Sequence, residues 1–88
     1  MKMPPTQRTH EEPEGGWAEN AVYLVDVAFR LNNPVHRAIF FTGFLRNGQP
    51  GNYSALFNPS WDGNAHPNDL HYLSPVCKLD VNFDEDVT

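Results

Sequence analysis

The sequence predicts a mainly β protein: a small antiparallel sheet of about four strands, a meander or barrel-like, with at most one short helix. Two stretches, 21–31 and 76–83, alternate apolar and polar residues, and a third, 36–46, concentrates aromatic and β-branched residues. Eight prolines and six glycines among 88 residues argue against long helices. We therefore expect strands at 21–31, 36–46, 52–57 and 76–83.

Residues 1–16 contain three prolines, two glycines and no large apolar side chain besides methionine. Such a segment buries too little surface to offset the entropy lost on ordering. We expect 1–16 to be a disordered tail, followed by a single small β-rich domain over 17–88. The alternative is a peptide that folds onto a partner.

The first predicted strand shows period-two alternation. Its odd positions are all apolar: Ala21, Tyr23, Val25, Val27, Phe29 and Leu31. The even positions include Asp26 and Arg30, so one face of this strand should be buried. A helix over 19–31 is the rival interpretation, but three valines with Tyr23 and Phe29 favour the strand, because branching at Cβ costs side-chain freedom in a helix.

The stretch 36–46 is expected to lie near the middle of the sheet, after a turn at Asn32-Asn33-Pro34. Both of its faces carry large apolar groups, so either both are covered or one is an exposed aromatic patch. Gly43 indicates a bulge or the close approach of another backbone.

The segment Asn47-Gly48-Gln49-Pro50-Gly51 predicts a hairpin loop that returns into an antiparallel strand at 52–57. In that strand Tyr53, Ala55 and Phe57 share one face and Leu56 lies on the other. A long polar loop follows at 58–70, with Trp61 expected to anchor it over one end of the sheet and a short helical turn near Asn68.

The last strand is expected at 76–83, and Pro75 marks its start or a sheet edge. Its alternation predicts an inward face of Cys77, Leu79, Val81 and Phe83. The closing residues 84–88 form an acidic, solvated end.

Composition limits the possible functions. The formal net charge is −5, which disfavours binding of nucleic acid through a basic face. A single cysteine excludes an internal disulfide, and no secretory or membrane-spanning segment is visible, so we expect a cytoplasmic protein.

Candidate chemistry is sparse. His66, His71 and Cys77, with His36 or Asp69, match no standard zinc-ligand spacing, and we expect two loop histidines and a buried structural cysteine. Neither Cys77 nor any serine lies in a recognisable nucleophile motif. We expect a non-enzymatic protein without a cofactor or metal.

The best functional hypothesis is a small acidic interaction protein that binds another protein, or itself as a homodimer, through an apolar sheet face or edge. Its size and composition are common among accessory and inhibitor proteins of phages and mobile elements. The expected contact residues combine exposed aromatic and arginine side chains: Phe40, Phe44, Arg37, Arg46 and Trp61. The alternative is a weak single-stranded nucleic-acid binder whose aromatic hairpin is flanked by Arg37 and Arg46.

Overall fold

A computed structural model describes residues 2–46, 49–50 and 54–80. These residues form a curled, half-barrel sheet of five strands with one 3₁₀ turn and no α-helix. The strands are β1 (Thr9–His10), β2 (Val22–Ala28), β3 (His36–Phe41), β4 (Ala55–Phe57) and β5 (Tyr72–Leu79). The prediction of a mainly β fold is confirmed, but the sheet is mixed and has a fifth strand.

The strands lie in the order β1-β5-β2-β3-β4. The pairings of β2 with β3, β2 with β5 and β3 with β4 are antiparallel, whereas β1 runs parallel to β5. The middle strand is therefore β2, and β3, which was expected near the middle of the sheet, lies beside it and is paired on both sides. The reason is the last strand, which pairs with β2 on the side opposite β3.

The alternation predicted in β2 is confirmed, and the helical alternative is wrong. Tyr23, Val25 and Val27 point into the core, where the two valines are completely buried. The strand ends at Ala28, so Phe29 lies in a bend and Leu31 in an exposed turn. Branched and aromatic side chains suit a strand that is paired on both sides and buried on one face.

The core fills the concave side of the curl. Trp17 closes it, with its ring edge-to-face against Tyr23 at 4.8 Å and against Phe40 at 4.9 Å between centroids. The other buried members come from all the longer strands and the loop before β5: Val25, Val27, Ala38, Leu56, Leu70 and Leu73. Aromatic side chains bury large areas, so Trp17 and Phe40 complete this core in a short chain.

The hairpin of β3 and β4 is confirmed as an antiparallel pair, with Ile39 opposite Phe57. Beyond it, the backbones of Arg46 and Gln49 exchange hydrogen bonds of 3.2 and 2.9 Å. Of the predicted loop and return strand, residues 47–48 and 51–53 lie outside the described residues. Leu56 is buried and Phe57 is exposed, which agrees with the predicted alternation.

Gly43 follows β3 with a φ of 55°, a left-handed conformation that glycine adopts without steric cost. Its carbonyl accepts a hydrogen bond of 3.1 Å from the Asn20 backbone amide. The hydrogen bond is of ordinary length, so the bulge or close backbone approach predicted at Gly43 stays a prediction.

Strand β5 begins four residues earlier than predicted, at Tyr72, and contains Pro75. A bulge interrupts its pairing with β2, because Leu24 pairs with Cys77 and Val25 with Pro75, leaving Val76 as the extra residue. Cys77 is exposed on the outer side, so the expectation that it is a buried, inward-facing cysteine is wrong. Cys77 and Leu79 share one face as predicted, but the bulge places that face on the outer side, opposite to Leu73 and Pro75. Val81 and Phe83 lie outside the described residues.

The N-terminal segment contributes to the sheet, which corrects the expectation of a disordered tail. Thr9 pairs with Tyr72 and His10 with Leu73 in β1. The Thr9 amide donates to the His71 carbonyl at 2.9 Å, and the Glu11 amide donates to the Leu73 carbonyl at 2.7 Å. Composition could not show this pairing, since the ladder between β1 and β5 is made by backbone groups that every residue other than proline carries.

The loop 58–70 is anchored as predicted. Trp61 is half-buried and packs on Phe29, with ring centroids 5.1 Å apart. The predicted helical turn is a 3₁₀ turn at Pro67–Asp69, in which His66 Nδ1 accepts a hydrogen bond of 3.0 Å from the Asn68 amide.

Candidate interaction surface

The register assigns residues to the outer, convex face of the sheet, because residues paired across strands point to the same side. Leu24 is opposite Ile39 on one side and Cys77 on the other. Phe41 and Leu79 are both opposite Val22. We define the outer patch as the apolar side chains on this part of the face: Leu24, Ile39, Phe41, Phe57, Cys77 and Leu79.

Two phenylalanines form the most accessible aromatic part of the outer patch. Phe41 is 38% exposed and Phe57 is 40% exposed. Their rings lie edge to face with centroids 5.4 Å apart, which is a favourable arrangement for two aromatic rings. Because each ring supports the other, the pair is a preorganised apolar surface.

An ion pair borders the outer patch. Arg37 Nε donates to Asp26 Oδ1 at 2.8 Å, and the two residues are opposite each other across β2 and β3. The Arg37 side chain is 56% exposed, so water screens the pair and its contribution to stability is small. The pair leaves this border of the patch without net charge.

The chain's own N-terminal segment runs past the other end of the same face. Ala28 and Tyr72 pair there and are both buried. The Lys2 ammonium lies 5.9 Å from the centre of the Tyr72 ring, and Pro4 is buried. His71 Nε2 also lies 2.8 Å from the Pro5 carbonyl oxygen. The outer face is thus covered at this end. At the other end Val22 is also buried, but Phe41 and Phe57 beside it remain exposed.

Two stretches at the edges of the sheet are protected against strand addition. At β4, Leu56 exchanges backbone hydrogen bonds of 2.8 and 2.9 Å with Ala65, so the loop covers this edge. Beyond the end of β1, the edge of β5 is uncovered and contains Pro75, which has no amide hydrogen to donate to an added strand. The bulge at Val76 also twists this edge. These features favour the face over the edge as a contact surface.

The structure separates the five residues predicted to contact a partner. Phe40 is 0% exposed and packs against Trp17, so it is a core residue and not a contact residue. Arg37 lies on the outer face. Phe44 is 63% exposed beyond the end of β3, Arg46 is exposed beside the hairpin loop, and Trp61 packs in the 58–70 loop.

Sequence reasoning missed the outer patch because both faces of 36–46 are apolar. One signal was present: Asp26 and Arg37 carry opposite charges at positions that a turn at 32–34 can bring face to face. That pairing would have assigned Arg37, Ile39 and Phe41 to the same side as Asp26. The inward set would then have contained Phe40.

The residues considered for metal binding have separate roles. His66 caps the 3₁₀ turn, His71 contacts the N-terminal segment, and Cys77 lies in the outer patch. The described part of the chain contains no group of three or more His, Cys, Asp or Glu side chains close enough to share a metal ion.

A cleft of about 550 Å³ opens beside the anchored loop. The rings of Phe29 and Trp61 line it together with the oppositely charged side chains of Arg30 and Asp69. Its size falls within the range of small-molecule sites, but its mixed walls indicate no particular ligand class.

The chain matches no protein-family model, no curated protein and no solved structure. Within the described residues, no helix is long and apolar enough to cross a membrane.

Proposed function

We propose that this chain is a non-enzymatic protein-interaction module that binds another polypeptide through the outer patch. The observation that carries the proposal is the pair Phe41 and Phe57, which lie 5.4 Å apart and remain more than one third exposed. Contiguous apolar area on a small soluble protein is typical of an interaction site. Aromatic side chains, phenylalanine among them, are also enriched at the core of protein–protein interfaces.

The rest of the face supports this assignment. The N-terminal segment covers Ala28 and Tyr72 at one end, so the fold protects apolar surface there. At the other end Leu24, Ile39 and Leu79 are only half-buried. A sheet with one accessible apolar face lacks the second layer that completes most small domains. A bound polypeptide would supply that layer.

Single-strand nucleic-acid binding is the alternative. Exposed Phe41 and Phe57 beside Arg37 resemble a stacking platform. Three observations weigh against it: Phe40 is buried, Arg37 is paired with Asp26, and the chain carries a net charge of −5. Phosphate binding would require a basic surface beside the rings.

The proposal is tested by placing a photo-crosslinking side chain at position 57, in cells that make the protein from its own gene. The matched control has the same side chain at position 31, because Leu31 is an exposed apolar residue in the turn after β2, away from the patch. We expect position 57 to give a discrete adduct with one polypeptide and position 31 to give none. Equal labelling at both positions, or none at 57, would overturn the proposal.

A further inference from the structure

Residues 2–12 run past one end of the outer face and contribute β1 to the sheet, and we call them the strap. We propose that the strap detaches from the sheet when His10 is protonated, and that its detachment uncovers Tyr72. Detachment is a property of this chain alone. Its consequence, a larger contact surface for the polypeptide that binds the outer patch, rests on the proposed function.

The strap is attached at the surface of the fold. Among the described residues 2–12 only Pro4 is buried, and none of them belongs to the core cluster. Backbone hydrogen bonds hold the strap, among them the bond of 2.7 Å from the Glu11 amide to the Leu73 carbonyl. Segments with few buried apolar contacts open locally at a lower free energy than the core does. The strap can therefore detach while the rest of the sheet stays folded.

One arginine and two histidines lie at the junction between the strap and the sheet. From the strap, His10 Nε2 lies 2.9 Å and Arg8 Nε lies 3.2 Å from the same acceptor, the Leu70 carbonyl oxygen. From the residue before β5, His71 Nε2 lies 2.8 Å from the Pro5 carbonyl oxygen of the strap. A carbonyl oxygen can only accept, so both Nε2 atoms are donors. Histidine clusters at an interface are a recurring device for sensing pH.

Protonation of His10 places a second positive charge beside Arg8. The neutral ring already donates from Nε2, so the added proton enters at Nδ1. Partial burial lowers the pKa of His10, which remains solvent-accessible, despite its hydrogen bond to Leu70; the charges of Arg8 and His71 lower the pKa further. In the detached strap the ring lies in water, and its pKa returns to about 6.5. Detachment is therefore favoured as the pH falls from about 6.5 towards the lower pKa of the docked state.

The carboxylates on the neighbouring elements are engaged elsewhere. Glu11, on the strap, accepts a hydrogen bond of 2.7 Å from a serine of β5. Asp69, in the loop before β5, accepts a hydrogen bond of 3.3 Å from the backbone amide at the start of the 3₁₀ turn. The charges that act most strongly on His10 are those of Arg8 and His71, and both are positive. Protonated His10 therefore meets net repulsion in the docked strap.

Detachment would enlarge the apolar surface of the outer face. Tyr72 is opposite Ala28 on this face and is only 7% exposed, with the Lys2 ammonium 5.9 Å from the centre of its ring. Without the strap, the Tyr72 ring is added to the face that carries Phe41 and Phe57. Tyrosine is among the residue types enriched at protein–protein interfaces. The polypeptide that binds the outer patch would thus gain a further aromatic contact at mildly acidic pH.

The experiment measures the backbone order of the purified full chain by NMR relaxation, from about pH 7.5 to about pH 5. Thr9 and Glu11 report on the strap, and Val25 reports on the sheet. We expect the order parameters of the strap amides to fall from about 0.85 to below about 0.6 while that of Val25 stays high. The midpoint of this change should coincide with the titration of the His10 ring, measured in the same samples.

Two variants show whether His10 is the cause. In His10→Gln the side-chain amide can still donate to the Leu70 carbonyl but does not titrate, so the strap should stay ordered at pH 5. His36→Gln is the control, because it removes an exposed titrating side chain outside the junction, and it should leave the midpoint unchanged.

Four results would overturn the inference. These are a wild-type strap that stays ordered at pH 5, a strap that is already mobile at pH 7.5, a loss of order at Val25 together with the strap, and a His10→Gln strap that is mobile at pH 5. None of these measurements includes a partner, so any of the four would leave the proposed function standing. The crosslinking experiment at position 57 tests that function separately.

Discussion

Asp26 and Arg37 face each other across β2 and β3, with Oδ1 and Nε 2.8 Å apart. The ion pair marks the register in which β2 and β3 are paired. That register determines which side chains of β3 lie on the outer face of the sheet. It sends Phe40 into the core and Phe41 to the surface, because neighbouring residues in a strand point to opposite sides. The outer patch therefore follows from the register that this ion pair marks.

The two adjacent phenylalanines of β3 should respond differently to truncation. Phe40→Ala removes a completely buried ring that packs on Trp17, and it should lower the free energy of unfolding by about 3–5 kcal/mol. Phe41→Ala removes a partly exposed ring and should cost only about 1 kcal/mol. Urea denaturation of the two variants measures both values, and similar costs would contradict the assigned faces.

The hydroxyl of Thr42 connects three parts of the backbone. It is completely buried, accepts from the Ala21 amide at 2.8 Å and donates to the Ala18 carbonyl at 2.7 Å. Thr42→Val keeps the shape but leaves both groups without this partner, so we expect a loss of about 1–3 kcal/mol. Thr42→Ser retains the hydroxyl and should cost less. A larger loss in Thr42→Ser than in Thr42→Val would show that the methyl group, and not the hydrogen bonds, stabilises this site.

The Asp26–Arg37 pair should contribute little to stability and should be sensitive to salt. A double-mutant cycle with Asp26→Asn and Arg37→Gln should give a coupling of about 0.2–1 kcal/mol that declines in 1 M salt. If the protein is an interaction module, Arg37→Gln should change partner binding only slightly. A large loss with a steep salt dependence would instead support the nucleic-acid alternative.

The stability of the fold should fall below neutral pH because of His10. Burial lowers the pKa of His10, which outweighs the opposing effect of its hydrogen bond to the Leu70 carbonyl; the nearby charges of Arg8 and His71 lower the pKa further. The unfolded chain, with a pKa of 6.5, therefore takes up this proton before the folded chain does. The folded state loses stability as the pH falls from about 6.5 towards the lower folded pKa, and loses no more below it.

Urea denaturation of the wild type and of His10→Gln from pH 8 to pH 5 tests this effect. The variant should be less sensitive to pH in this window, because glutamine does not titrate there. His36→Gln is the control, since His36 is exposed at the start of β3. Wild type and His10→Gln curves that stay parallel over the whole window would contradict the role assigned to His10.

The parts of the fold that could be predicted are those governed by local pattern. The alternation of Tyr23, Val25 and Val27 predicted β2, and the antiparallel pairing of β3 with β4 was predicted around Asn47-Gly48. Trp61 was predicted as an anchor because it is the one large side chain in a polar loop. These features need no knowledge of distant contacts.

The remaining features depend on tertiary pairing. Strand β1 exists because backbone groups of β5 lack partners at that edge, which composition does not reveal. The bulge at Val76 moves Cys77 outward, so simple alternation assigned it to the wrong side. Phe40 was assigned to the contact surface and not to the core because the choice between Phe40 and Phe41 depends on register. A pattern on one strand cannot decide which face its neighbours cover.

The most direct test of the outer patch uses Cys77, an exposed thiol within it. Its rate of reaction with a thiol reagent in excess is measured on the purified chain and on the complex of the chain with the polypeptide that crosslinks at position 57. We predict that the rate constant falls several-fold as the complex forms, and that Phe57→Ser abolishes this protection. A rate constant that is the same in the complex and in the purified chain would show that the contact lies elsewhere, and would contradict the outer patch as the interaction surface.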